Sequence, residues 1–210
     1  MTKKVLGVLV SGRGSNLQAI FDAISAGRLN AKIGAVISDN PEAQALKRIA
    51  GFDIPTAVIE RDKYSSKRHF EQAIIDELKL HHVDLVLLAG YMRILSAYFV
   101  QQFPQRIMNI HPSLLPAFPG LHPHAQALKH GVKVSGCTVH FVDEGTDSGP
   151  IILQEAVPVY DADTPETLAE RILHIEHILY PRAIGLFCEG KLAIDGRTVK
   201  ILQGAKEEKP

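Results

Sequence analysis

Short apolar bursts alternate with amphipathic stretches through the first half of the chain. VLGVLV (Val5–Val10), IGAVIS (Ile33–Ser38), IPTAVI (Ile54–Ile59) and VDLVLLAG (Val83–Gly90) are rich in Val, Ile and Leu. Such runs suit strands buried on both faces, because a parallel sheet is covered by helices on both sides. Between them the apolar positions take helical spacing. Leu17, Ile20, Phe21 and Ile24 form one stripe after Ser15–Asn16. Phe70, Ile74, Ile75 and Leu78 form another after Ser65 and Ser66, either of which can serve as N-cap. This β-α-β-α order predicts an open parallel sheet with right-handed crossovers.

The second half is less regular. Ser96–Phe103 suits a short helix, and Arg106–Ile110 a strand that runs into a Pro-rich loop, HPSLLPAFPGLHPH. Val134–Val142 and Ile151–Val159 read as strands separated by the polar turn DEGTDSGP. Thr164-Pro165-Glu166 starts a helix: a capping hydroxyl, Pro at the first position and an acid near the positive end. That helix should reach Phe187 or Cys188, with some irregularity at Pro181. In KLAIDGRTVKIL, Asp195–Gly196 lies between two alternating runs, a hairpin signal. The charged tail from Gly204 to Pro210 is expected to be disordered. The expected fold class is α/β: a Rossmann-like open, mostly parallel sheet with helices on both faces and a C-terminal β-hairpin. Residues 1–210 are expected to form a single domain, since no repeat or low-complexity linker divides them.

Composition narrows the partners. Lys plus Arg and Asp plus Glu number 23 each. That balance supplies no general attraction for nucleic acid, whose affinity rests on many cationic contacts with phosphate. Cys137 and Cys188 are far apart and suit buried thiols in a reducing compartment. The apolar run near the N-terminus stops at a Gly-rich turn with no cleavage pattern. No segment approaches the roughly 20 apolar residues that cross a bilayer. A cytoplasmic protein with no membrane and no nucleic-acid partner is therefore expected.

Three places could carry chemistry. Ser11-Gly12-Arg13-Gly14-Ser15-Asn16 follows the first strand and opens a helix. Glycines let backbone approach a ligand and free amides at a helix N-terminus attract phosphate, although a tight turn with a Ser cap has the same sequence. The third glycine of a dinucleotide fingerprint falls on Leu17, and no Gly-Lys-Ser/Thr follows, so a single phosphate fits better. Asn109 and His111, two apart on a strand, point to one face. An amide beside an imidazolium suits an oxyanion formed by attack on a carbonyl; the same pair could simply anchor the Pro-rich loop. Asp147 lies between Gly145 and Gly149 in a loop where carboxylates are commonly solvated. It gains interest if the fold brings it to His111, because a carboxylate favours a charged imidazole and can relay a proton through water. The ten histidines invite a metal reading through His122 and His124, or His174 and His177, but the cysteines are not spaced to help and no HExxH occurs, so no metal is expected. No G-x-S-x-G elbow offers a serine nucleophile.

In this order the pieces VLVSGRGSNLQAI, LAGYMRIL, NIHPSLLPAFPGLH, GCTVHFVDEGTDSGPIILQ and IEHILYP resemble the folate-dependent formyltransferases over nearly the whole chain. NIHPSLLP and the later D-x-G loop belong to the wider superfamily. SGRGSNLQAI and PGLHPH are narrower and point to the branch whose amine substrate is glycinamide ribonucleotide. The resemblance implies formyl transfer from 10-formyltetrahydrofolate, a cosubstrate rather than a bound cofactor, in purine synthesis. It places Asn109, His111 and Asp147 on catalytic positions and His140 beside them in support. It assigns Gly12, Arg13, Gly14, Ser15 and Asn16 to the ribonucleotide phosphate and Glu176 to the ribose. Leu88, Met92, Arg93, Ile94 and Leu95 would line the folate pocket, closed by Val142 and Glu144. Three positions depart from the pattern: Ala117 and Leu173 replace polar or basic residues, and Lys67 stands where an arginine can meet the folate tail. Rival readings are a 10-formyltetrahydrofolate deformylase, a tRNA-directed relative, and a non-catalytic nucleotide-binding module. The sequence leaves monomer and homodimer open.

Overall fold

The computed structural model describes residues 2–202, so the expected disorder of 204–210 lies outside the described residues. The first half runs β1 (Lys4–Val10), α1 (Ser15–Ser25), β2 (Ala31–Ser38), α2 (Gln44–Arg48), β3 (Thr56–Val58), α3 (Lys67–Leu80), β4 (Leu85–Leu88) and α4 (Ala97–Gln102). The second runs β5 (Ile107–His111), α5 (Pro123–Lys129), β6 (Val134–Phe141), β7 (Ile151–Pro158), α6 (Pro165–Cys188), β8 (Leu192–Asp195) and β9 (Thr198–Ile201). All these strands join one sheet in the order β3-β2-β1-β4-β5-β6-β7-β9-β8. The first five are parallel, whereas β6 lies antiparallel to both β5 and β7. The C-terminal hairpin, β8 and β9, adds to the far edge through β7.

Side-chain alternation along β1 sets the layers. Leu6, Val8 and Val10 pack on one face with Leu17 and Ile20 of α1 and Ile172 and Leu179 of α6. Leu9 faces the other way, towards Phe70, Ile74 and Leu78 of α3 and Phe99 of α4. Both faces are thus covered, which is why the central strands read as unbroken apolar runs. Helix starts follow their caps. Ser66 accepts from the His69 amide, and Ser96 from the Phe99 amide. Thr164 and Thr167 cap α6 reciprocally. That helix runs on through Pro181, which has no N–H to bond the preceding turn.

Two strands are shorter than their apolar runs. β3 spans three residues at the sheet edge rather than Ile54–Ile59, and Val58 within it is 44% exposed. β4 stops at Leu88, before Gly90 takes a positive φ of 75°. The chain leaves β1 outward to β2 and β3, then returns to β4 on the other side. The crevice beyond the carboxyl ends of β1 and β4 is where open α/β sheets bind ligands.

Candidate active site

The Ser11–Asn16 loop leaves β1 into this crevice, and its carbonyls are turned inward. Gly12 O accepts from the Ala45 amide at 3.0 Å, Arg13 O from Arg48 Nε at 2.7 Å, and Gly14 O from the Gln18 amide at 3.0 Å. The amides of residues 13–17 have no acceptor among the described residues. Gly14 sits at φ 70°, and a Cβ there would lie 2.5 Å from the Ala45 Cβ. Conformation and space therefore both require glycine at this turn. Arg48, on the short helix α2, is a supporting residue that sequence patterning does not reveal.

Beside the loop, Asn16 Nδ2 donates to Glu176 of α6 at 2.8 Å. Both side chains are buried, and Asn16 Oδ1 has no partner, an acceptor in want of a donor. Burial raises the Glu176 carboxyl from 4.5 to about 7, against the lowering effects of Asn16 and Arg13. In the folded protein it holds its proton to higher pH than in the unfolded chain. Stability contributed by the neutral acid is thus present below about pH 4.5 and is lost as pH rises towards about 7. The penalty above that window is on the order of 3 kcal/mol. Glu176→Gln should accordingly melt several degrees higher than the parent at pH 8 and show no gain at pH 4.5. An unchanged difference between the two pH values in a thermal scan would refute this.

The second cluster is built at the end of β5. Asn109 and His111 share one strand face, and His140 on β6 lies directly opposite Asn109. His140 Nδ1 donates to the Phe141 carbonyl at 2.8 Å. Burial holds this imidazole below its ordinary value, partly offset by that carbonyl and by Asp147. The ring is thus neutral with its proton on Nδ1, and its bare Nε2 accepts from Asn109 Nδ2 at 3.2 Å. This fixes the orientation of the Asn109 amide, whose nitrogen also reaches Asp147 Oδ1 at 3.4 Å.

Asp147 is held at φ 51°, in the left-handed region. Its Oδ2 accepts from the Gly120 amide at 2.8 Å and lies 3.3 Å from His111 Nδ1. The other ring nitrogen of His111, Nε2, donates to the Phe118 carbonyl at 2.9 Å. Each ring nitrogen of His111 thus has an oxygen close by. The Pro-rich loop that supplies Phe118 O and Gly120 N rests on a buried polar network. Thr138 Oγ1 donates to Ser113 O at 2.7 Å and accepts from the Leu115 amide at 3.0 Å.

A third group follows β4. Met92, Arg93, Ile94 and Leu95 line a cavity with Phe70 and Tyr91, of about 380 Å³. Met92 and Ile94 are 69% and 64% exposed, apolar side chains in want of cover. Arg93 pairs with Asp39, and Lys67 with the buried Glu71. Arg61 and Tyr91 also line this cavity, and the buried Tyr91 hydroxyl has no partner. Of the residues expected here, Leu88, Val142 and Glu144 are not in the lining. Leu88 is buried at the end of β4, Val142 packs against the α3–α4 core, and Glu144 is exposed and accepts from Gln101 at 3.0 Å. Ser11 joins the groups: its amide donates to Gly90 O at 3.2 Å and its Oγ accepts from the Met92 amide at 2.9 Å. Tyr180, fully buried one turn beyond Glu176, reaches the carbonyls of Leu88 and Met108 and ties α6 to β4 and β5.

No helix among the described residues is long and apolar enough to cross a membrane. Residues 3–184 match the formyl transferase family model, and the chain belongs to that family. Within it, the chain is 46% identical to phosphoribosylglycinamide formyltransferase of Bacillus subtilis, over 86% of this chain and 93% of that protein. A crystal structure of glycinamide ribonucleotide transformylase 1 from Symbiobacterium toebii superposes with a TM-score of 0.94 at 51% identity, covering 96% of this chain and 95% of that one. The trifunctional purine biosynthetic protein adenosine-3 of Drosophila melanogaster is 46% identical over 91% of this chain, which spans 14% of that longer protein.

Proposed function

We propose that this chain transfers the formyl group of 10-formyltetrahydrofolate to the amine of glycinamide ribonucleotide, giving the formylated ribonucleotide and tetrahydrofolate. The observation that carries the reading is the meeting of three side chains at the end of β5, where Asp147 lies 3.4 Å from Asn109 and 3.3 Å from His111. The free amides of the Gly12–Asn16 turn bind the ribonucleotide phosphate, with the exposed Arg13 adding charge. Glu176 and the unpartnered Asn16 Oδ1 accept from ribose hydroxyls. The folate lies against Met92–Leu95 in the cavity that Phe70 and Tyr91 also line.

The amine attacks the formyl carbon directly, so no covalent enzyme intermediate forms. As negative charge grows on the formyl oxygen, Asn109 Nδ2 supplies a hydrogen bond. Its 3.4 Å contact with Asp147 is longer than its 3.2 Å contact with His140 and is the one the oxygen displaces. The protonated His111 ring places positive charge beside the same oxygen. Asp147 holds that ring and assists a water in carrying one proton from the attacking amine to the leaving folate nitrogen. His140, accepting at Nε2, keeps the Asn109 amide turned for donation.

Substrate labelled in the formyl group tests the reading. Mass spectrometry should find the label on the ribonucleotide amine after incubation with the protein. Label found only in free formate would point to hydrolysis, and unreacted donor to a binding module; either contradicts the proposal.

A further inference from the structure

The C-terminal hairpin has no part in the site as described so far, yet it touches the loop that carries Asp147. Arg197, in the turn between β8 and β9, donates from Nη2 to the Ser148 carbonyl at 2.8 Å. Its neighbour Thr198 pairs with Ile151, so the hairpin joins the sheet where this loop returns to β7.

Loop 143–149 is mostly folded on itself. Asp143 Oδ1 accepts from Ser148 Oγ at 2.7 Å and from the Gly145 amide at 3.1 Å. At Gly149 a Cβ would lie 1.8 Å from the Phe141 carbonyl oxygen, so the backbone there is pressed against β6. Between these points Asp147 holds a left-handed φ, a conformation that persists where its surroundings over-determine it. Gly120 and Gln101 reach the side chains of Asp147 and Glu144. Among the described residues, Arg197 is the side chain from outside the loop that grips its main chain.

We propose that Arg197 is a positioning residue for formyl transfer: by fixing the Ser148 carbonyl it keeps the neighbouring Asp147 carboxylate against His111 and the Gly120 amide. This rests on Asp147 serving as the relay described above. The guanidinium bonds a carbonyl and leaves the carboxylate charge to His111, which suits a tether better than a competing ion pair would.

The test uses Arg197→Ala and Arg197→Lys in the full chain. Arg197→Ala should lower kcat about fivefold, the order expected for one hydrogen bond. Both KM values and the melting temperature should stay unchanged, because Arg197 is exposed. Arg197→Lys, which can still donate to the carbonyl, should recover most of the loss. Amide exchange over residues 145–149 of the unliganded protein should quicken in Arg197→Ala and be restored in Arg197→Lys. An unchanged kcat or unchanged exchange would overturn the proposal, as would a fall in kcat matched by a lower melting temperature and raised KM for both substrates. Exchange needs no turnover, so loss of the tether and failure of the formyl-transfer reading are told apart.

Discussion

Asp147→Asn is expected to lower kcat by about 10²–10⁴, the range for a positioned proton-transfer group. The substitution is nearly isosteric, and asparagine tolerates the left-handed backbone that Asp147 adopts. Its amide oxygen can still accept from Gly120, so the loop keeps its anchor. What disappears is the negative charge 3.3 Å from His111 Nδ1. In the proposed mechanism the His111 ring then loses its counter-charge, and the water that shuttles the amine proton loses its acceptor. Asp147 does not line the cavity around Met92–Leu95, so affinity for a folate analogue should stay within about twofold of the parent, far below one hydrogen bond's full worth. Turnover near the parental value would remove Asp147 from the mechanism.

Asn109→Ala should cost about 10²–10³ in kcat, as loss of one oxyanion donor does elsewhere. Asn109 is only half-buried, and the smaller side chain leaves Met108 and Ile110 packed on the opposite face, so the fold should survive. His140 Nε2 would lose its donor, and the Asp147 carboxylate one of its weaker contacts. Because the interaction strengthens only as the carbonyl oxygen becomes charged, ribonucleotide KM should move little. A rise in KM with kcat preserved would instead assign Asn109 to ground-state binding.

Much of this arrangement is legible in the chain, for identifiable reasons. Val5–Val10 is followed at once by the Gly12–Asn16 turn, so strand, loop and helix start all have local signals. Asn109 and His111 are two apart, and strand geometry alone puts them on one face. Local spacing is silent on the approach of Asp147, which depends on β6 and β7 folding back antiparallel beside β5. Helix α5 is hidden because it has seven residues and starts behind His122 at φ 57°, after a Pro-rich loop that reads as irregular. Helix α2 is hidden for the same want of length. Arg48, Arg197 and Tyr180 act through contacts with backbone carbonyls, which leave no pattern in side-chain chemistry. A tyrosine on an apolar helix stripe, or an arginine in a hairpin turn, looks like core or surface until the acceptor is placed.

In the proposed reaction two substrates meet here and one formyl group passes between them. The most direct measurement is the rate of tetrahydrofolate release from 10-formyltetrahydrofolate, with and without glycinamide ribonucleotide. Release that requires the ribonucleotide, and matches formylated product one for one, is the expected result. Release at the same rate in its absence would mean that water is the acceptor, and would contradict transfer to the ribonucleotide.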